Sequence, residues 1–163
     1  MTSIDEKVAK LLRNSGLTLS VAESCSGGLI AKRITDVPGS SGYFLFGAVT
    51  YSNESKLKVL GVPGKLLEKH GAVSSEVALS MAEGVRRVSG SAIAIATTGI
   101  AGPDGGTPEK PVGTVFMALA DRDGCSVKKY QFPGDRNWVR SITCFSALDL
   151  LRKRLLTLPD IRP

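Results

Sequence analysis

Apolar residues recur along this chain first at helical and then at strand spacing, and the alternation of the two sets its expected elements. Ile4, Val8, Leu11 and Leu12 share one helical face behind Ser3-Ile4-Asp5-Glu6, which has the spacing of a capping box, and Gly16 is placed to end that helix. Leu17 to Ala22 reads as a short strand and Leu29 to Ile34 as a helix. Tyr43 to Ser52, rich in aromatic and β-branched residues, predicts a second strand. Asn53 is the expected cap of a short helix through Leu60, and Pro63 to Lys69 of another helical piece. Ser74 or Ser75 caps a longer helix with Val77, Met81, Val85 and Val88 on one face.

Ser91 to Thr98 is a continuous run of small apolar residues, the pattern of a strand buried on both faces. A Gly/Pro loop over Gly99 to Pro111 leads to a strand at Val112 to Ala120. Arg122-Asp123-Gly124 then turns the chain into a strand at Ser126 to Phe132. Asp135 caps a last helix that runs to about Leu156. Strands that alternate with helices early and form a hairpin late predict a three-layer α/β/α fold. The sheet is expected to be mixed, mostly parallel and of about five strands, with a C-terminal hairpin plus helix. No linker or repeat divides residues 1–163, so one domain is expected, with 159–163 as a frayed tail.

Composition narrows the chemistry. His70 is the only histidine, which argues against His-rich zinc sites and HExxH proteases. Cys25, Cys125 and Cys144 are an odd number with no CxxC spacing, so a disulfide framework is not expected and a reducing cytoplasm fits. No apolar run is long enough to span a bilayer, and the start is not a secretory one, so no membrane partner is expected. The net charge of +6 suits an anionic ligand. Its basic residues are scattered outside Arg152-Lys153-Arg154 and are not interleaved with aromatics, which argues against nucleic acid.

Four segments can carry chemistry. Glu23 to Gly28 is a Ser/Gly turn between strand and helix, able to approach a phosphate through its backbone. It is neither a GxGxxG fingerprint nor a GxxxxGK[ST] loop. Cys25 is a possible nucleophile with His70 as base, or simply a packing residue. Tyr51 closes its strand and Lys56 follows on a helix, where strand ends of an α/β sheet gather ligands. A lysine with a lowered pKa can deprotonate a serine, although Lys56 taken alone reads as an ordinary surface residue. The third segment, Gly99 to Gly106, holds four glycines in a long loop, which lets the backbone pass close to a ligand or a neighbouring subunit. In the fourth, Arg136 and Arg140 stand one helical turn apart and can clamp a phosphate, or can sit in water behind the cap Asp135.

These segments, in this order, resemble the CinA C-terminal domain family, whose enzymatic members are nicotinamide-nucleotide amidases of the PncC type. The resemblance covers about Val8 to Leu156. It rests on AESCSGG (Ala22 to Gly28), PGSSGYF (Pro38 to Phe44), GAVTYSNESK (Gly47 to Lys56), GAVS (Gly71 to Ser74), TGIAGPDGG (Thr98 to Gly106), KPVGTV (Lys110 to Val115) and GDR (Gly134 to Arg136). It is closest to the family's free-standing form. It implies hydrolysis of nicotinamide mononucleotide to nicotinate mononucleotide and ammonia in pyridine-nucleotide recycling, without metal or organic cofactor. A non-catalytic nucleotide-binding module of the same fold is the alternative.

The residues that match the family's functional positions are Ser24, Ser41, Tyr51, Lys56 and Arg136. The expected catalytic set is Ser41 as nucleophile, Lys56 as base, and Tyr51 and Ser24 beside them, with the reverse serine assignment open. Gly27, Gly28, Thr98, Gly102, Arg136 and Arg140 are expected to bind substrate. A cytoplasmic homo-oligomer is expected, from the small-residue loop and an apolar sheet edge.

Overall fold

The computed structural model describes residues 2–158, so the tail expected at 159–163 lies outside the described residues. Helix α1 (Ile4–Ser15) starts at the anticipated capping box: Ser3 Oγ accepts from the Glu6 N–H and the Glu6 carboxylate accepts from the Ser3 N–H. Such a cap contributes about 1 kcal/mol. Then follow β1 (Leu19–Glu23), α2 (Leu29–Thr35), a 3₁₀ turn η1 (Ser40–Gly42), β2 (Phe44–Val49), α3 (Asn53–Leu60), α4 (Gly64–His70) and α5 (Ser75–Ser89). The chain continues through β3 (Ile93–Gly99), β4 (Thr114–Asp121), β5 (Gly124–Gln131) and α6 (Arg136–Leu155).

Several boundaries differ from expectation. Strand β2 is shorter, because Ser52 rather than Asn53 caps α3 by accepting from the Ser55 N–H, which turns the chain out of the sheet at Thr50. On α5, Val77, Met81 and Val85 are buried as the helical period requires, but Val88 falls past the sheet and is 52% exposed. The turn η1 had no apolar period to announce it.

The five strands form one sheet in the order β2-β1-β3-β4-β5. β1 pairs in parallel with β2 and β3, whereas β3–β4 and β4–β5 are antiparallel. Four strands therefore run one way, and β4 alone opposes them. Alternation along the central strands divides the two faces. Ile93, Ile95, Val115, Met117 and Leu119 point to a core closed by α1, α2 and α6. Ala94, Ala96, Ala118 and Ala120 point to the other, under α3, α4 and α5. Alanine on that face lets α5 sit close, and a side chain added at Gly84 would collide with the Leu60 carbonyl.

The chain leaves β1 for β2 through α2 on one face, and leaves β2 for β3 through α3 to α5 on the other. The carboxyl end of β1 is thus the point where the winding reverses, the usual place for a ligand crevice in an open α/β sheet.

Candidate active site

Ser24 follows directly on the carboxyl end of β1, and its N–H donates to the Thr97 carbonyl of β3. The turn after it needs two left-handed residues, supplied by Gly27 (φ 62°) and Gly28 (φ 95°). Glu23, 0% exposed, anchors this turn. Its carboxylate accepts from the N–H groups of Gly28 (3.0 Å), Ile30 (3.1 Å) and Ala31 (2.8 Å) at the start of α2. The positive end of α2 is therefore already occupied by a residue of the same chain. Gly27 donates its N–H to the Ser24 carbonyl. These bonds take the N–H donors of Gly27 and Gly28, so neither is free for a phosphate.

Lys56 comes from the first turns of α3 and is only 1% exposed. Its Nζ lies 3.1 Å from Ser24 Oγ, 2.7 Å from the Thr50 carbonyl and 3.2 Å from the Tyr51 carbonyl. Burial lowers its pKa from the ordinary 10.5. The one opposing influence is the charge Cys25 would carry as a thiolate. Burial pushes the Cys25 thiol up to about 12, so Cys25 is neutral at ordinary pH and that influence is switched off. The same shift makes Cys25 a poor nucleophile. His70, its conjectured base, ends α4 with Nδ1 3.5 Å from Glu76 and does not line the cleft beside Cys25.

A cleft of about 190 Å³ opens over this pair, lined by Ser24, Cys25, Tyr51, Lys56, Ala72, Val73, Thr98, Gly99, Ala101 and Arg136. The Thr98 hydroxyl donates to the Ala72 carbonyl (2.8 Å) and holds the α4–α5 connection as one wall. Arg136, at the start of α6, donates to the Gly102 carbonyl (2.8 Å) and to the Tyr51 hydroxyl (2.9 Å). Its guanidinium has neutral partners at the mouth of the cleft. A roomier cleft of about 390 Å³ lies at the other pole, between the end of α5 and the β4–β5 hairpin. Its Cys125 thiol is pushed up to about 11 by burial, and it holds no hydroxyl beside a buried base. Among the described residues, no three His, Cys, Asp or Glu side chains gather as a metal site, and no helix is long and apolar enough to cross a membrane.

Ser24, Tyr51, Lys56, Thr98 and Arg136 are thus brought together, with Gly102 tied in through its carbonyl. Ser41 is not. It is exposed in η1, before the amino end of β2, whereas Ser24 follows the carboxyl end of β1. The two strands are parallel with Leu19 beside Phe44 and Glu23 beside Val49, so at least about 15 Å of strand separates the serines. Arg140 also stays outside the cleft: it lies over Gly27 and donates to the Ser26 carbonyl at 3.3 Å. Glu23, and the Thr50 and Tyr51 carbonyls, are parts of the site that sequence reasoning did not assign.

The CinA C-terminal domain family matches residues 1–155. The chain is 65% identical over 156 residues to a CinA-like protein of Geotalea uraniireducens, covering 96% of this chain and 37% of that protein. It is 63% identical over 155 residues to a CinA-like protein of Geobacter sulfurreducens, covering 95% of this chain and 38% of that protein. The chain therefore spans little more than a third of the length of these relatives. Among solved structures, it is similar to a CinA superfamily protein of Klebsiella pneumoniae (TM-score 0.92, 34% identity, 95% and 97% of the two chains). It is also similar to the competence/damage inducible protein CihA of Agrobacterium tumefaciens (TM-score 0.88, 39% identity, 96% and 100%).

Proposed function

The chain belongs to the CinA C-terminal domain family, and on that premise we propose that it hydrolyses the carboxamide of nicotinamide mononucleotide to nicotinate mononucleotide and ammonia. The observation that carries this reading is the set of contacts around Lys56 Nζ. A neutral amine has two N–H donors and one lone pair. The Thr50 and Tyr51 carbonyls can only accept, so they take both donors. The lone pair is left facing Ser24 Oγ, ready for the hydroxyl proton. A buried lysine aimed in this way is a general base.

In the proposed reaction, Ser24 gives its proton to Lys56 as Oγ bonds to the carboxamide carbon. The tetrahedral oxyanion collapses, the C–N bond breaks, and Lys56 returns the proton to the leaving nitrogen, which departs as ammonia. Water then attacks the ester on Ser24, giving a proton to Lys56, and the C–Oγ bond breaks as Lys56 returns that proton to Oγ, which frees the nicotinate carboxyl to leave and ionise. No step calls on a metal or an organic cofactor. The geometry supports Ser24, not Ser41, as nucleophile. The cleft suits an aromatic amide rather than a whole nucleotide, so the ribose phosphate reaches the mouth, where Arg136 and the Tyr51 hydroxyl are its partners. Three free cysteines suit work in the cytoplasm, and the reading includes a homo-oligomer.

Ammonia release from nicotinamide mononucleotide by the purified protein tests the reading. Steady release supports it, and no release by folded protein leaves a binding module in its place.

A further inference from the structure

Two of the motifs above, GAVS (Gly71 to Ser74) and KPVGTV (Lys110 to Val115), have no part in the reaction as drawn. The structure brings them together. Lys110, half-buried in the loop before β4, donates from Nζ to the His70 carbonyl at 2.9 Å, across a sequence separation of 40 residues. Its ammonium also lies over Gly71, where a Cβ would stand 3.8 Å from Nζ.

The His70 carbonyl is the first of three successive carbonyls that side chains hold. The Ser74 hydroxyl donates to the Gly71 carbonyl (2.9 Å), and the Thr98 hydroxyl to the Ala72 carbonyl (2.8 Å). The connection between α4 and α5 belongs to no helix or strand, so these bonds fix its path. Ser74 ties the connection to itself, Thr98 ties it to β3, and Lys110 ties it to the Gly/Pro loop. The connection gives Ala72 and Val73 to the cleft. The end of β3 and the loop give Gly99 and Ala101, and the Gly102 carbonyl seats Arg136.

The loop is fixed at its Lys110 end as well. The Lys110 N–H donates to the Thr107 hydroxyl (3.0 Å), and the Lys110 carbonyl accepts from the Thr107 N–H (2.9 Å). Val112, two residues on, packs so closely against Gly102 that a side chain there would collide with it. Lys110 itself does not line the cleft, so it reaches the site only through the segments it joins.

We propose that Lys110 is a positioning residue of this cleft: its bond to the His70 carbonyl clamps the α4–α5 connection to the Gly/Pro loop and sets the spacing of the walls that hold the amide ring over Ser24 and Lys56. The identity of the ring rests on the amidase reading, while the clamp does not. Misplacement by ~1 Å can cost up to about 10²-fold in rate, so a wall held by one charged bond matters to the reaction. A single carbonyl asks only for a cationic donor within reach, which arginine also supplies.

Steady-state kinetics and hydrogen exchange test the proposal on Lys110→Met, Lys110→Arg and Lys69→Met, each shown to be folded by circular dichroism. Lys110→Gln is the milder change should Lys110→Met not fold. For Lys110→Met, kcat/KM for nicotinamide mononucleotide should fall roughly 10- to 100-fold, mainly through KM, because Ser24 and Lys56 keep their own partners. The pH at which kcat/KM levels off should not move. Lys110→Arg should return kcat/KM to within about threefold of wild type, and Lys69→Met, which removes an exposed charge beside the same helix end, should match it. Amide exchange in Lys110→Met should quicken over 69–76 and 99–113 and stay unchanged in α1. A kcat/KM within threefold of wild type, a shifted pH plateau, or wild-type exchange in both segments overturns the proposal. A wild type without turnover overturns the amidase reading instead, and exchange still decides whether Lys110 clamps the two segments.

Discussion

Lys56 Nζ lies 3.1 Å from Ser24 Oγ, and its other two polar partners are the main-chain carbonyls of Thr50 and Tyr51. A buried lysine usually keeps its charge through a carboxylate partner. Here the amine has only neutral acceptors and a hydroxyl, and burial favours its deprotonated form.

That arrangement makes a signed prediction for pH. Activity needs neutral Lys56, so kcat/KM should rise as pH climbs through its lowered pKa and level off before 10.5, the value of an ordinary lysine. Stability should follow the same direction. Between the folded and unfolded pKa values the unfolded chain binds the extra proton, so stability rises with pH across that window. Below the folded pKa, the cost of burying the cation is present in full. Lys56→Met should lose at least ~10²-fold in turnover. It should also lose that pH slope in chemical denaturation and be no less stable than wild type at neutral pH. A Lys56→Met protein with the wild-type slope would assign the slope to another group.

Glu23 should matter first for stability. Glu23→Ala leaves the N–H groups of Gly28, Ile30 and Ala31 without their acceptor. A loss of about 3 kcal/mol is expected in urea denaturation, since bonds to a buried carboxylate are worth ~1.5–3 kcal/mol each and part of the loss is recovered by water. A cost under ~1 kcal/mol would mean that α2 caps itself in another way.

Arg136→Ala should act on binding. With its guanidinium gone from the mouth, KM for nicotinamide mononucleotide should rise roughly 10- to 100-fold, the scale of a charge-assisted contact to phosphate. The ratio of turnover between the nucleotide and its unphosphorylated nucleoside should fall by a similar factor. An unchanged ratio in steady-state kinetics would place the phosphate elsewhere, Arg140 being the next guanidinium along α6.

The layers, the strand count and the final hairpin were legible because the periods are strong: Ile-Ala-Ile-Ala in β3 fixes a doubly buried strand, and the α5 stripe fixes a covering helix. The site was legible in part. A segment that follows a parallel strand lies at its carboxyl end, and this placed Ser24 and Tyr51 together. The same rule puts Ser41, which precedes β2, at the amino end, so its motif neighbours in sequence are not its neighbours in space. The burial of Lys56 was not legible, because nothing in NESKLK distinguishes an inward lysine from a solvated one. Glu23 was silent for a related reason: its partners are backbone N–H groups, which every sequence possesses.

The most direct test is ammonia release from nicotinamide mononucleotide by Ser24→Ala and Ser41→Ala beside the wild type, each shown to be folded. Ser24→Ala should lose about 10³-fold or more in kcat, the scale of removing an attacking nucleophile. Ser41→Ala, at a position outside the cleft, should keep kcat within about tenfold. Near-normal turnover by Ser24→Ala, with loss confined to Ser41→Ala, would contradict the account.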